Sequence, residues 1–494
     1  MQHSKILSID QSTSGTKALL FGANGVLLGR ADRAHKQITP QNGWVEHDPE
    51  EIYRNTLVVT DNLLHQTGTP PEEIATVGLS NQRETVLAWD KETGKPVYNA
   101  VVWQCARAEE LCRNLQGDPR AALVPEKTGL NLSPYFSAAK LAWILQNIPE
   151  ATRLMKNKRL CCGTIDSWLL WKLTGGTSFK TDYSNASRTE LFNINTLCWD
   201  KELCSLFGVD ADVLPQPCPS DSLFGETTFE GLFPRPVPIR GILGDSHGAL
   251  FAQGCLEPGM AKATYGTGSS VMMNTGAERV AAADGLCTSI AWGMNGKVQY
   301  VLEGNINYTG AVIKWLVEQV GLIGSSMEAG EISQQAASTG GVYLVPAFTG
   351  LGAPYWDSDA RAILCGMNAS TGKAEIVRAA EECIAYQVND VVARMRGQSS
   401  VYLRRLSADG GPTRDRFLMQ FQADVLGGPL CVSKMEEASG AGAAYMAGIS
   451  VGVYDLSTLF DREQTVFEPQ MSAEQRAALL EGWMQAVQMV RRNP

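Results

Sequence analysis

The sequence predicts an α/β protein built as two duplicated halves, and three observations carry that reading. At 494 residues the chain is too long for one ordinary core. Short β-type runs alternate with helix-like stretches along its length. Each half opens on a hairpin whose tip is made of glycine and hydroxyl residues, Gln11-Ser12-Thr13-Ser14-Gly15-Thr16 in the first and Tyr265-Gly266-Thr267-Gly268-Ser269-Ser270 in the second. The domains are therefore expected as 1–250 and 251–494, alike in element order and without a repeat that aligns residue by residue.

Composition narrows the function. Lys+Arg 42 against Asp+Glu 52 gives a net charge of −10, with no basic block able to track a nucleic-acid backbone. An acidic protein can still hold an anionic nucleotide where amides, a local cation and a metal supply the field. No apolar stretch approaches a membrane span and Met1 to Ser14 lacks a signal-like pattern, so a soluble, cytoplasmic protein with no membrane partner is expected. Twelve cysteines without a Cys-x-x-Cys read mostly as small buried apolar residues. His3, His35, His47, His65 and His247 form no spaced ligand set.

The elements follow in order. Lys5 to Asp10 and Lys17 to Phe21 are the arms of the first hairpin. Amides and hydroxyls at such a tip can surround a phosphate, and Asp10 at the strand end can hold a hydrated Mg²⁺. No Walker loop is present, so this would be a different cradle. Asp48-Pro49-Glu50-Glu51 starts a helix, with Asp48 as N-cap. Asn81-Gln82-Arg83-Glu84 separates two β-type runs and must face water or a ligand; Arg83 and Glu84 side by side can donate to and accept from adjacent hydroxyls. Trp103 could wall a short carbon chain, and Tyr135 to Asn147 is helix-like. Gly241 to Leu250 delivers Asp245 at a strand-to-helix edge, where open α/β sheets hold ligands; capping of the helix is the alternative.

In the second half, Gly259 to Thr264 and Val271 to Met273 flank the second tip. Gly310 opens a helix-like run, and Asp409-Gly410-Gly411 interrupts a strand before the helical Phe417 to Val425; glycines there let backbone reach a ligand. Ser439 to Gly452 is a small-residue helix suited to tight packing, and Met471 to Arg492 an amphipathic surface helix.

These segments in this order, above all Gly43 to Pro49, Asn81 to Thr85, Lys91 to Cys105, Thr181 to Asn193, Gly259 to Gly268 and Val342 to Asp357, resemble the FGGY carbohydrate kinases, most closely the members that act on glycerol. The resemblance covers essentially the whole chain. It implies the actin-like ATPase (ribonuclease H-like) fold, with a cleft between two α/β domains, 1–250 on the substrate and phosphate side and 251–494 on the nucleotide side. It implies ATP and Mg²⁺ as cofactors, a small polyol or sugar as substrate, and a homodimer or homotetramer. Carried residue by residue, it makes Asp10 the metal residue and Thr13, Ser14, Gly15 and Lys17 phosphate neighbours. Thr267, Gly310, Gly411 and Asp415 would line the nucleotide, Asp415 standing where an Asn often contacts adenine. Arg83, Glu84, Trp103, Tyr135, Asp245 and Ser246 would form the substrate site, with Asp245 the catalytic base.

Two departures bear on specificity, and a third loosens the family's second signature, Ala362 to Glu382. The members that act on glycerol usually carry Gln where this chain has Ser246 and an aromatic residue where it has Ser270, which leaves a roomier, more polar pocket. Glu381 stands where an apolar residue is usual. The function expected is phosphorylation of a primary hydroxyl, glycerol to glycerol 3-phosphate. A four- or five-carbon polyol or ketose is the alternative substrate, and an actin- or chaperone-like ATPase switch the alternative of another class.

Overall fold

The computed structural model describes residues 4–283, 285–398, 401–435, 437–460 and 464–491; His3 and Arg492 lie outside them. Its contacts divide the chain into two units. The first holds Met1–Gly254, Thr288–Tyr300 and Glu437–Asp461, and the second the segments between and after them.

The first unit is organised by three parallel strands buried along most of their length. Lys5–Gln11 pairs in parallel with Ile74–Asn81, which pairs in parallel with Val237–Gly244. Gln11 is in register with Asn81, and Asn81 with Gly244, so three strand ends finish side by side. That register gathers Asp10, the Asn81–Glu84 quartet and Asp245 at one sheet edge. Gly15–Phe21 and Leu27–Ala34 extend the sheet antiparallel on one side, and the short Gly225–Thr227 strand closes the other.

Helices cover this sheet. In Pro49–Thr67, Asp48 accepts from the Glu50 amide at 2.9 Å, and Ile52, Val59 and Leu63 are buried. The small-residue helix Ala438–Ser450 lies against the strands so closely that a Cβ at Gly78 would meet the Ala443 carbonyl oxygen at 2.6 Å. A Cβ at Gly442 would meet the Gly248 oxygen at 1.9 Å, so the helices Ala438–Ser450 and Asp245–Ala252 touch backbone to backbone. This packing is why a segment so late in the chain belongs to the first unit.

The second unit repeats the pairing grammar. Five consecutive strands of its sheet run Ser269–Gly276, Met260–Tyr265, Arg405–Asp409, Leu430–Ser433, Gln464–Phe467, in antiparallel, parallel, parallel and antiparallel steps. The hairpin followed by two parallel partners is the order seen in the first unit. Helix Lys373–Gln398 supplies a long buried face, from Val377 through Ile384 and Val388 to Met395. Helix Ala473–Val490 buries Trp483, Ala486, Val487 and Val490, as the amphipathic reading expected. Ten of the twelve cysteines are buried and all are free thiols. Among the described residues, no helix is long and apolar enough to cross a membrane.

Candidate active site

Asp245 opens helix Asp245–Ala252 directly after the strand Val237–Gly244, with Gly244 as N-cap in extended backbone. The capping alternative therefore does not describe Asp245. Its Oδ1 accepts from the amide of Ser246 at 2.6 Å and faces Arg83 Nε at 3.2 Å, and its side chain stays about one-third exposed, at 34 %. The sheet edge thus presents a carboxylate that is oriented by a cation and still accessible.

Behind it the quartet is buried and turned away from water, and its first two side chains are taken up by protein partners. Asn81 exchanges side-chain hydrogen bonds with Asn185 at 2.9 Å in both directions. Gln82 donates to Gln11 Oε1 at 3.0 Å and contacts His47 Nδ1 at 3.2 Å. Glu84 has φ 61°, a left-handed backbone that is uncommon outside glycine, and its carbonyl accepts from Ser137 Oγ at 3.1 Å. Its carboxylate takes Arg188 Nε at 2.7 Å and lies 3.9 Å from Arg83 Nε. Charge-assisted bonds of this kind are the strong ones, and here both partners are almost fully buried.

Arg188 is the residue that sequence reasoning missed. It sits 104 positions from Glu84; the only local signal is a cation inside the otherwise small and polar Ser184 to Thr189 run.

Tyr135 is fixed by Lys140, whose buried ammonium caps the carbonyls of Pro134 at 2.9 Å and Phe136 at 2.7 Å, and also that of Tyr135. Burial pulls Lys140 down to about 8, against the raising charges of Glu84 and Glu190. Trp103 meets Tyr135 edge-on at 5.5 Å, and its Nε1 donates to Thr13 Oγ1 at 2.9 Å. The indole therefore joins the aromatic wall to the hairpin tip.

At that tip, the amide and hydroxyl of Ser12 both bond the Gly15 carbonyl, at 2.8 and 3.1 Å. Ser14 is exposed, and the Thr13 carbonyl accepts from Gln37 Nε2 at 2.8 Å. His47 supports the tip from within. Burial, with His35 beside it, lowers its pKa to about 3, so it is a neutral imidazole bridging Gln82 and Gln37. His247 is likewise buried, 3.2 Å from Ser289 Oγ.

Asp10 is 4 % exposed, and its Oδ1 has no hydrogen-bond partner among the described residues. Burial raises its pKa to about 6; Lys17 opposes the shift, while Asp245 and Glu437 add to it. An unsatisfied buried carboxylate oxygen beside further carboxylates is a place a cation would relieve. No group of three or more metal-ligating side chains occurs among the described residues. Lys17 does not stand free beside the tip, because its ammonium bonds Glu437 Oε2 at 2.6 Å.

The second unit carries a separate cavity of about 420 Å³ that brings together Thr267, Gly310, Gly411 and Asp415, and is also lined by Lys314 and Glu381. Its walls depend on absent side chains. A Cβ on Gly310 would lie 2.6 Å from the Gly266 oxygen, and just before the wall residue Gly411 a Cβ on Gly410, at φ 99°, would lie 1.9 Å from the Tyr265 oxygen. Asp415 caps helix Arg416–Leu426 through Oδ1, accepting from the amides of Phe417 at 2.8 Å and Leu418 at 3.1 Å.

Known proteins supply the context for this geometry. Residues 5–252 match the N-terminal domain of the FGGY family of carbohydrate kinases, and residues 261–451 its C-terminal domain. The chain is similar to a glycerol kinase of Symbiobacterium thermophilum, 45% identical with 99% of each chain covered. It is also similar to glycerol kinase 1 of Thermotoga maritima, 46% identical with 98% of each covered. Among solved structures, Plasmodium falciparum glycerol kinase with ADP matches at TM-score 0.93 and 37% identity, over 100% of this chain and 99% of that one. A gluconate kinase from Lactobacillus acidophilus, at 20% identity and TM-score 0.87 over 98% of this chain and 97% of that one, shares the fold. On both domain matches and full-length relatives, the chain belongs to the FGGY family of carbohydrate kinases and has its two-domain, actin-like α/β fold.

Proposed function

We propose that the protein transfers the γ-phosphoryl group of ATP to a primary hydroxyl of glycerol, giving glycerol 3-phosphate. The observation that carries this reading is the accessible Asp245 carboxylate, 3.2 Å from Arg83, beside a Glu84 locked by Arg188. A primary alcohol is a weak nucleophile. Asp245 accepts its proton as it attacks the γ-phosphorus, while Arg83 donates to and Glu84 accepts from the neighbouring hydroxyls. Trp103 and Tyr135 wall the carbon chain, and Ser246, which lends Asp245 its amide, borders it.

Thr13, Ser14 and Gly15 approach the phosphates, with Lys17 adding positive field while paired to Glu437. The cavity with Thr267, Gly310, Gly411 and Asp415 takes the nucleoside. Asp10 would hold Mg²⁺ through water; when bound, that ion neutralises phosphate-oxygen charge. The reading assigns the substrate and phosphate side to 1–250, the nucleotide side to 251–494, and a homodimer or homotetramer to the assembly.

Full-length relatives named glycerol kinase support glycerol over a longer polyol or ketose, and family membership supports a kinase over an ATPase switch. A coupled ADP-release screen across glycerol, tetritols, pentitols and ketopentoses tests the substrate. Glycerol preferred by more than about tenfold in kcat/KM, about 1.4 kcal/mol, is the expected result. A pentitol or ketose preferred by that margin would make Ser246 and Ser270 the marks of a larger substrate, and ADP release independent of any polyol would favour the switch.

A further inference from the structure

Asp182 caps the one-turn helix Tyr183–Ala186 and is fully buried, yet it accepts more than the helix amides a cap serves. Its Oδ2 takes the Ser184 amide at 2.9 Å and Ser220 Oγ at 2.8 Å. Its Oδ1 takes the Asn185 amide at 2.9 Å, Ser184 Oγ at 3.0 Å and Asn185 Nδ2 at 2.9 Å. An N–H group stands against each oxygen, so both oxygens act as acceptors. That fixes the sense of the bonds beyond them. Ser184 gives its hydroxyl proton to Asp182, and its oxygen takes the Gly244 amide at 2.9 Å. Asn185 gives one Nδ2 proton to Asp182 and the other to Asn81 Oδ1, and its Oδ1 takes Asn81 Nδ2, each at 2.9 Å.

Asn81 and Gly244 are register partners at the ends of adjacent parallel strands. Asp245 follows Gly244 directly, and Arg83 lies two residues beyond Asn81. Ser184 and Asn185 therefore clasp both strand ends, with Asp182 as the anchor. We propose that Asp182 and Ser184 are positioning residues for the phosphoryl transfer, holding the two strand ends at the spacing that sets Arg83 3.2 Å from Asp245. All four clasp side chains, Asn81, Asp182, Ser184 and Asn185, are fully buried, so water does not compete for these bonds. The inference rests on Asp245 being the base of the proposed reaction.

Ser220 supplies the internal control. Its hydroxyl also bonds Asp182, but its second partner is the Gly293 amide at 3.3 Å and not a strand end. Ser184→Ala and Ser220→Ala thus each remove one bond to Asp182 and one to a backbone amide, and thermal melts of the full chain should fall by a similar amount in both. The kcat for glycerol 3-phosphate formation falls about tenfold or more in Ser184→Ala and stays within about threefold of wild type in Ser220→Ala. Calorimetric ADP affinity stays within about threefold in both. Asp182→Asn lowers kcat by the same order as Ser184→Ala, and the double variant loses less than the product of the two, as residues acting in one chain do. Wild-type kcat in Ser184→Ala would overturn the proposal, and so would equal kcat losses in the two serine variants, which would mark a packing role alone. A wild-type chain that forms no glycerol 3-phosphate would overturn the proposed function and this inference with it.

Discussion

Arg83 Nε stands 3.2 Å from Asp245 Oδ1, and the two residues follow the ends of neighbouring parallel strands, Ile74–Asn81 and Val237–Gly244. The pair is set by sheet register more than by any local motif, and the room for it is set by a missing side chain. A Cβ at Gly244 would fall 2.7 Å from Arg83 Cγ and 2.8 Å from Cδ.

Gly244→Ala therefore tests the pair without removing either member. Gly244 has φ −60°, which alanine adopts freely, so the substitution acts by displacing Arg83. Overpacking of this kind costs about 1–3 kcal/mol, and a shift near 1 Å in a reacting group lowers rates about 100-fold. Steady-state kinetics should show kcat/KM for glycerol falling by that order while the far-UV spectrum stays native.

Arg188→Met removes a cation 2.7 Å from the buried Glu84 carboxylate. Breaking a buried ion pair from one side costs about 3–5 kcal/mol, and a denaturant melt should show a loss of that size. The KM for glycerol should rise by about tenfold or more while that for ATP changes little, because Glu84 loses the bond that aims it. A melt that matches wild type would mean that Glu84 is held by other contacts.

Much of this was legible in the sequence, and the misses share a cause. The two hairpins, the strand-to-helix edge at Asp245 and the Asp48 cap are local patterns written in consecutive residues. The burial of Asn81 and Gln82 was not legible, because their partners are Asn185, Gln11 and His47, between 35 and 104 positions away. Arg188 escaped for the same reason. The late helix Ala438–Ser450 was read for its small residues as tight packing, which it does, but no sequence pattern names Gly248 as the backbone it touches. Glu381 stood out as an odd residue, and only the fold placed it in the lining of the cavity that Asp415 also lines.

Asp10 makes a prediction about pH. Its folded pKa is raised from 3.8 to about 6, so the folded state binds the proton more tightly than the unfolded chain does. Its contribution is fully present below the unfolded value and is lost as pH rises from about 4 to about 6. Asp10→Asn should therefore stabilise the metal-free protein at pH 7 by up to about 3 kcal/mol and lose most of that advantage at pH 4. It should also depress turnover, since the uncharged amide holds a hydrated cation poorly. Thermal melts at the two pH values read the first effect, and an assay at saturating Mg²⁺ the second.

The central claim is that Asp245 takes the proton of the attacking hydroxyl. Asp245→Asn keeps nearly the same volume and removes the base, so turnover of glycerol with saturating ATP should fall by at least about 100-fold, the scale of a general base, with ADP affinity unchanged within about threefold. The measurement is kcat for glycerol 3-phosphate formation beside a calorimetric ADP titration on the same preparation. Near-normal turnover in Asp245→Asn would contradict the account.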